Sequence, residues 1–170
     1  MKYEELQQLL ALIAAHPDRQ VIGRERLQKE VRLLQRIGFP THYVYRVHFY
    51  GPYSEELQSD VDALEAMGWL EQRSHHAGDD EPYITIPSVQ DRDLPDISPF
   101  QSTIDTLAIT DLVVLELAAA YDTFREFGYD PGGALDLLRA KKGAKCDGGR
   151  VEQALNLLSR LGLQRELALA

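Results

Sequence analysis

The stretch from Tyr43 to Gly68 constrains the fold more than any other part of the chain. Tyr43 to Tyr50 is β-branched and aromatic with rough alternation, Gly51-Pro52 breaks it, and Ser54 leads into Leu57, Val61 and Leu64 at helical spacing until Gly68. This reads as a short strand, a turn, a helix over about 54–67 capped by Ser54, and a left-handed stop. Upstream, Leu6, Leu9, Leu10, Leu12 and Ile13 predict a helix over 3–15 that His16-Pro17 ends. A second helix follows over about 24–37, with Leu27, Val31 and Leu34 on one stripe, Gly38 as its stop, and Glu25, Lys29, Arg32 and Arg36 on the other face. Downstream, Trp69–Arg73 and Pro82–Ile86 read as two strands joined by a polar loop.

The order helix, helix, strand, helix, hairpin predicts a winged-helix-like domain over 1–87, with the third helix in the recognition position and the hairpin as the wing. Residues 88–99 are rich in proline and aspartate and read as a linker. Residues 100–170 read as a small helical domain. Its helices start at Ser98-Pro99, Thr110, Asp130-Pro131 and Gly149, and Ile104, Leu107, Val113, Leu117, Leu135, Leu138, Val151, Leu155 and Leu158 supply a shared core. The expected class is therefore mainly α (α+β). With 170 residues, 44% hydrophobic and 26% charged, the chain has the composition of an ordinary folded protein with one or two small cores. No run reaches the roughly 18 apolar residues of a membrane span, the first residues do not begin a signal peptide, and Cys146 has no internal disulfide partner. The cytoplasm is the expected address, with no membrane partner.

Charge is unevenly placed. The net charge of −9 argues against wholesale adhesion to nucleic acid. Nine acids fall between positions 55 and 81 against the lone base Arg73, so a third helix in this segment is repelled by phosphate rows. Two stretches are locally basic: Arg19 to Arg36, and Arg139 to Arg150 with Lys141, Lys142 and Lys145. Each reads either as a solvated face or as a phosphate or acidic-protein contact. Arg26 and Glu30, four apart at the edge of the apolar sector, form a candidate partly buried pair.

Catalytic chemistry finds no frame. Ser54 lacks the glycine spacing of a nucleophile elbow and is better explained as a helix cap. His75-His76 with Asp79, Asp80 and Glu81 offers ligand types but reads as a solvated wing tip. Cys146 beside Lys145 has a cation to lower its thiol pKa but no histidine base nearby. Gly132-Gly133 and Gly148-Gly149 match no phosphate loop. No catalytic residue, metal or cofactor is expected, and the chain reads as no enzyme.

Arg24-Glu25-Arg26-Leu27-Gln28-Lys29-Glu30-Val31-Arg32-Leu33-Leu34-Gln35 resembles the "R-x-x-LQK-x-x-x-LLQ" helix of the YwgA-like family of uncharacterised bacterial and archaeal proteins. Tyr50-Gly51-Pro52-Tyr53-Ser54-Glu55-Glu56-Leu57 is similar to that family's "YGPYS-x-x-L" turn, and Asp60 to Leu70 to its "D-L-x-x-L-x-x-x-G-L-I" segment. A more distant resemblance, through the LQK helix and YGP turn, is to the Panacea antitoxin domain, which implies binding of a toxin or a role as a proteolytic adaptor. The expected function is a non-enzymatic regulatory module that binds a protein, with Gln28, Lys29, Tyr50, Tyr53, Glu56, Asp60 and Glu65 facing a basic partner. The alternative is a nucleic-acid-binding regulator using Lys29, Arg32, Arg36, Lys141, Lys142 and Lys145. A homodimer is compatible with either.

Overall fold

The computed structural model describes residues 2–48, 51–74, 82–85 and 94–163. It is mainly helical with small antiparallel sheets, and it divides into two compact units that interleave along the sequence: residues 1–45 with 54–109, and residues 46–53 with 110–170. These limits differ from a division at 87 and 100. Ile104 and Leu107 are buried in the first unit, while the segment 46–53 packs with the second.

The first unit begins with α1 (Lys2–Ala14), which buries Leu9, Leu10, Leu12 and Ile13. Pro17 ends it, and Asp18 and Arg19, both left-handed at φ 56° and 57°, turn the chain into β1 (Gln20–Ile22). After α2 (Arg24–Arg36) comes α3 (Glu55–Ala66), whose cap is Ser54 as the sequence predicts: its hydroxyl accepts from the Leu57 amide at 3.2 Å. Gly68 has φ +78°, the left-handed stop expected of it. The hairpin β4 (Glu71–Ser74) and β5 (Pro82–Thr85) pairs antiparallel, and β1 adds to β5 to give the order β1-β5-β4. The strand joining the hairpin is thus β1, a segment in which the sequence signals no strand. Three residues around one buried side chain, Val21, are too short for periodicity to reveal. A 3-10 turn (Ser98–Phe100) and α4 (Gln101–Ala108) complete the unit, with the Phe100 ring edge-on to Phe39 at 5.1 Å.

In the second unit, only Arg46–His48 of the expected Tyr43–Tyr50 strand forms one among the described residues, β2, and the Gly51-Pro52 segment expected as a turn is instead a second strand, β3 (Gly51–Tyr53), with Val47 opposite Pro52. Proline is tolerated because a two-stranded ribbon leaves an open edge on each strand, and Gly51 at φ +96° takes a conformation costly for other residues. β3 packs on α5 (Leu112–Glu126), which also carries α6 (Pro131–Lys142) and α7 (Arg150–Arg160). The cap of α5 is Asp111, whose carboxylate accepts from the Val113 and Val114 amides, in place of Thr110. Asp130 caps α6 through Gly133 N–H at 2.6 Å.

The helix α2 departs most from expectation. Every residue from Leu27 to Leu34 is buried, including Gln28, Lys29, Glu30 and Arg32, because β1, β5 and α4 all contact it. Except at Glu30 Oε1, these polar side chains find partners inside. Gln28 donates to Ser54 O at 2.9 Å and accepts from Ser54 N at 2.8 Å. Seven residues on, Gln35 grips Tyr43 in the same way, donating to its carbonyl and accepting from its amide, both at 2.9 Å. The two glutamines therefore hold the chain shortly before it leaves this unit and at the point where it returns. This explains in physical terms why an LQK…LLQ helix and a YGPYS turn occur in one chain: Gln28 of the first clamps Ser54 of the second.

Candidate functional site

The exposed face of α3 is built by elimination. Leu57, Asp60, Val61 and Leu64 point inward, which leaves Glu55, Glu56, Ser59, Asp62, Ala63, Glu65 and Ala66 outside. Glu55, Asp62 and Glu65 line one side of that face, since residues three or four apart stack on a helix. Two of these carboxylates are held in place. The Gln72 side chain on β4 donates to Asp62 at 3.1 Å and to Glu65 at 3.2 Å, and the Gln72 amide donates to Glu65 at 2.7 Å. Gln58 also donates to Asp62, at 3.0 Å.

Helix stability accounts for only part of this charge. Glu55 and Glu56 in the first turn complement the helix dipole, but Glu65 lies in the last turn, which carries no basic residue and where the dipole opposes a negative group. Beyond the C-terminal end of α3, Met67 is 48% exposed, and Tyr3, 54% exposed, meets Trp69 edge-on at 6.4 Å. The exposed acids of α3 are thus followed along the chain by exposed Met67 and by Trp69, which meets the exposed Tyr3 of α1.

The structure redistributes the residues singled out by sequence. Glu56 and Glu65 are on the surface, and Glu56 pairs with Lys2 at 2.8 Å. Asp60 is buried, accepting from the Tyr43 hydroxyl at 2.7 Å and pairing with Lys2 at 2.9 Å, so it anchors α3 and does not face a partner. Burial, together with the Asp60 carboxylate, pushes the Tyr43 hydroxyl far above its ordinary pKa. Gln28 and Lys29, each 1% exposed, are likewise withdrawn from any surface, Lys29 with its ammonium 3.0 Å from Glu25. Tyr53 is half-buried on β3, and Tyr50 lies outside the described residues, as do His75, His76, Asp79, Asp80 and Glu81.

The basic set is corrected in the same way. Arg32 is buried with its guanidinium 5.6 Å from the centre of the Tyr45 ring, a cation–π contact. Lys142 is buried against Glu116 of α5 at 2.9 Å, and Lys145 reaches the same carboxylate at 3.1 Å. The cause is shared: each of these bases finds an acid or a ring inside its own unit. Arg36 is half-buried, and Arg139 and Lys141 are exposed. The Cys146 thiol is not activated: burial pushes its pKa up, against the opposing pull of Arg139 and Lys142.

The Arg26–Glu30 pair forms, at 3.7 Å with Glu30 fully buried. Its third member was missed. His16 places Nε2 2.6 Å from Glu30 Oε2, a contact fourteen residues apart that no local spacing signals. Among the described residues, no helix is long and apolar enough to cross a membrane.

No protein-family model matches the chain. Over 59 residues the chain is 39% identical to a protein of Bacillus subtilis (strain 168) described as "Uncharacterized protein YwgA". That stretch is 35% of this chain and 36% of the relative, so the chain spans little more than a third of the curated relative it matches. The resemblance to the Panacea antitoxin domain finds no support in these comparisons. What they support is a likeness to YwgA over part of the chain.

Proposed function

We propose that the first unit is a winged-helix-like module that binds a basic protein partner through the exposed face of α3 and is not an enzyme. The observation that carries this reading is the pre-ordered acidic row on the helix in the recognition position, with Asp62 and Glu65 fixed by Gln72. Side chains already held in one geometry lose less entropy on binding, and a row of one sign steers an oppositely charged partner. Met67, Trp69 and Tyr3 supply apolar and aromatic anchors of the kind that dominate interface energies. The strand order β1-β5-β4 and the position of α3 before the hairpin support the winged-helix reading. A regulatory or antitoxin-like role is the use such a module serves best. Nucleic-acid binding draws less support, because Lys29, Arg32 and Lys142 are spent on internal contacts.

The test is capture from the native host, after nuclease treatment, on tagged wild type and on a Glu55→Lys/Asp62→Lys/Glu65→Lys variant. A stoichiometric protein held by wild type and lost by the variant is expected, with an association rate that falls steeply with salt. Equal retention by the variant, or recovery of nucleic acid instead, overturns the reading.

A further inference from the structure

His16 is almost wholly buried, and both of its ring nitrogens face acceptors. Nδ1 lies 2.8 Å from the Leu12 carbonyl of α1, which only accepts, and Nε2 lies 2.6 Å from Glu30 Oε2 of α2. Nδ1 must therefore carry a hydrogen, and the short bond to Glu30 needs one more. Glu30 Oε1 accepts no hydrogen bond among the described residues; the nearest cation, Arg26 Nη1, is 3.7 Å away, too far to donate. That same Nη1 donates at 2.9 Å to the Leu107 carbonyl at the end of α4. At the other end of α4, the Gln101 amide donates to the Ala15 carbonyl, next to His16.

We infer that His16, Glu30 and Arg26 form a proton-controlled latch that fastens α4 to the rest of the first unit. With the proton present, His16 binds Glu30 and leaves Arg26 on Leu107. When the proton leaves to solvent base, the Nε2 lone pair faces Glu30 Oε2 across 2.6 Å, and the two repel. The buried carboxylate then needs another partner, and Arg26 is close enough to move onto it, giving up the Leu107 carbonyl. Of the charged groups around the ring, Glu30 favours the proton and Arg26 opposes it. Burial alone lowers the imidazolium pKa, but the Glu30 bond and charge, with the Leu12 carbonyl, more than reverse this and hold it above 6.5. A raised histidine contributes its stability in full below its unfolded value and loses it as pH rises through the folded value. The latch is closed in mildly acidic conditions and opens as pH rises.

The experiment is an NMR titration of the His16 ring in the full chain from pH 5 to 10, with amide exchange measured at each pH and corrected for intrinsic rate. In wild type, α4 protection falls relative to α2 over the range where His16 titrates above 6.5, by up to about tenfold per pH unit. In Arg26→Gln, His16 still titrates while the α4 response disappears. In Glu30→Gln, His16 stays neutral above 6.5 and α4 no longer responds; the first two measurements decide the matter if this variant does not fold. Flat α4 protection, a parallel loss in α2 and α4, or a response that persists in Arg26→Gln overturns the latch.

Discussion

Replacing Gln28 by alanine should damage the protein far more than replacing Ser54, although the two residues belong to one contact. Gln28→Ala leaves both the amide and the carbonyl of Ser54 without their side-chain partner, in a residue that is 0% exposed. Each buried backbone group so orphaned costs about 1–3 kcal/mol, so the pair costs about 2–6 kcal/mol. Ser54→Ala removes only the bond from Leu57 N to the hydroxyl, a cap worth about 1 kcal/mol, and leaves the Gln28 clamp intact. At about 4–8 °C per kcal/mol for a unit of this size, the two variants separate clearly in Tm. Urea unfolding followed through Trp69, the sole tryptophan and part of this unit, gives the free energies. Gln28→Glu refines the test. At neutral pH its carboxylate still accepts from the Ser54 amide but has no hydrogen for the Ser54 carbonyl. The fold therefore prefers the protonated acid and raises its pKa, so the deficit against wild type should shrink as pH falls. A Gln28→Ala cost no greater than that of Ser54→Ala, or a Gln28→Glu variant as stable as wild type at pH 7, would refute the clamp as the reason for burying Gln28.

Two further outcomes concern the second unit. Asp111→Ala should cost about 1 kcal/mol in thermal unfolding because it uncaps α5, whereas Thr110→Ala should change little. Glu116→Ala removes the carboxylate shared by Lys142 and Lys145 and should cost about 3–5 kcal/mol in chemical denaturation. The apolar pair Glu116→Leu/Lys142→Met should cost much less, because it leaves no buried charge behind.

Helices were legible wherever apolar residues recur at helical spacing and a cap or glycine marks the end. That holds for α3, bounded by Ser54 and Gly68, and for α6, opened by Asp130-Pro131. The acidic face was legible because it is a count of charges along one segment. The interior of α2 was not: Lys29 and Arg32 recur at the spacing of a solvated face, and only contacts made by distant residues turn that face inward. Tyr45 lies thirteen positions from Arg32, and Ser54 lies 26 from Gln28. His16 was read only as the residue before a helix-stopping proline, because nothing within one helical turn hints at Glu30. The strand β1, three residues long, is too short to show alternation.

The interleaving of the two units bears on how the chain is made. The ribbon formed by β2 and β3 emerges from the ribosome long before α5, the helix on which β3 packs. During synthesis the ribbon has no apolar surface of its own unit to rest on, while Tyr43 and Ser54, before and after it in the sequence, already have their partners in Gln35 and Gln28. A folding order follows in which the first unit has all of its residues once residue 109 is released, whereas the second lacks α7 until residue 160 is made. Cutting the chain at residue 109 would give a fragment with an orphan ribbon, so dissection of this protein calls for excising 46–53 together with the C-terminal helices.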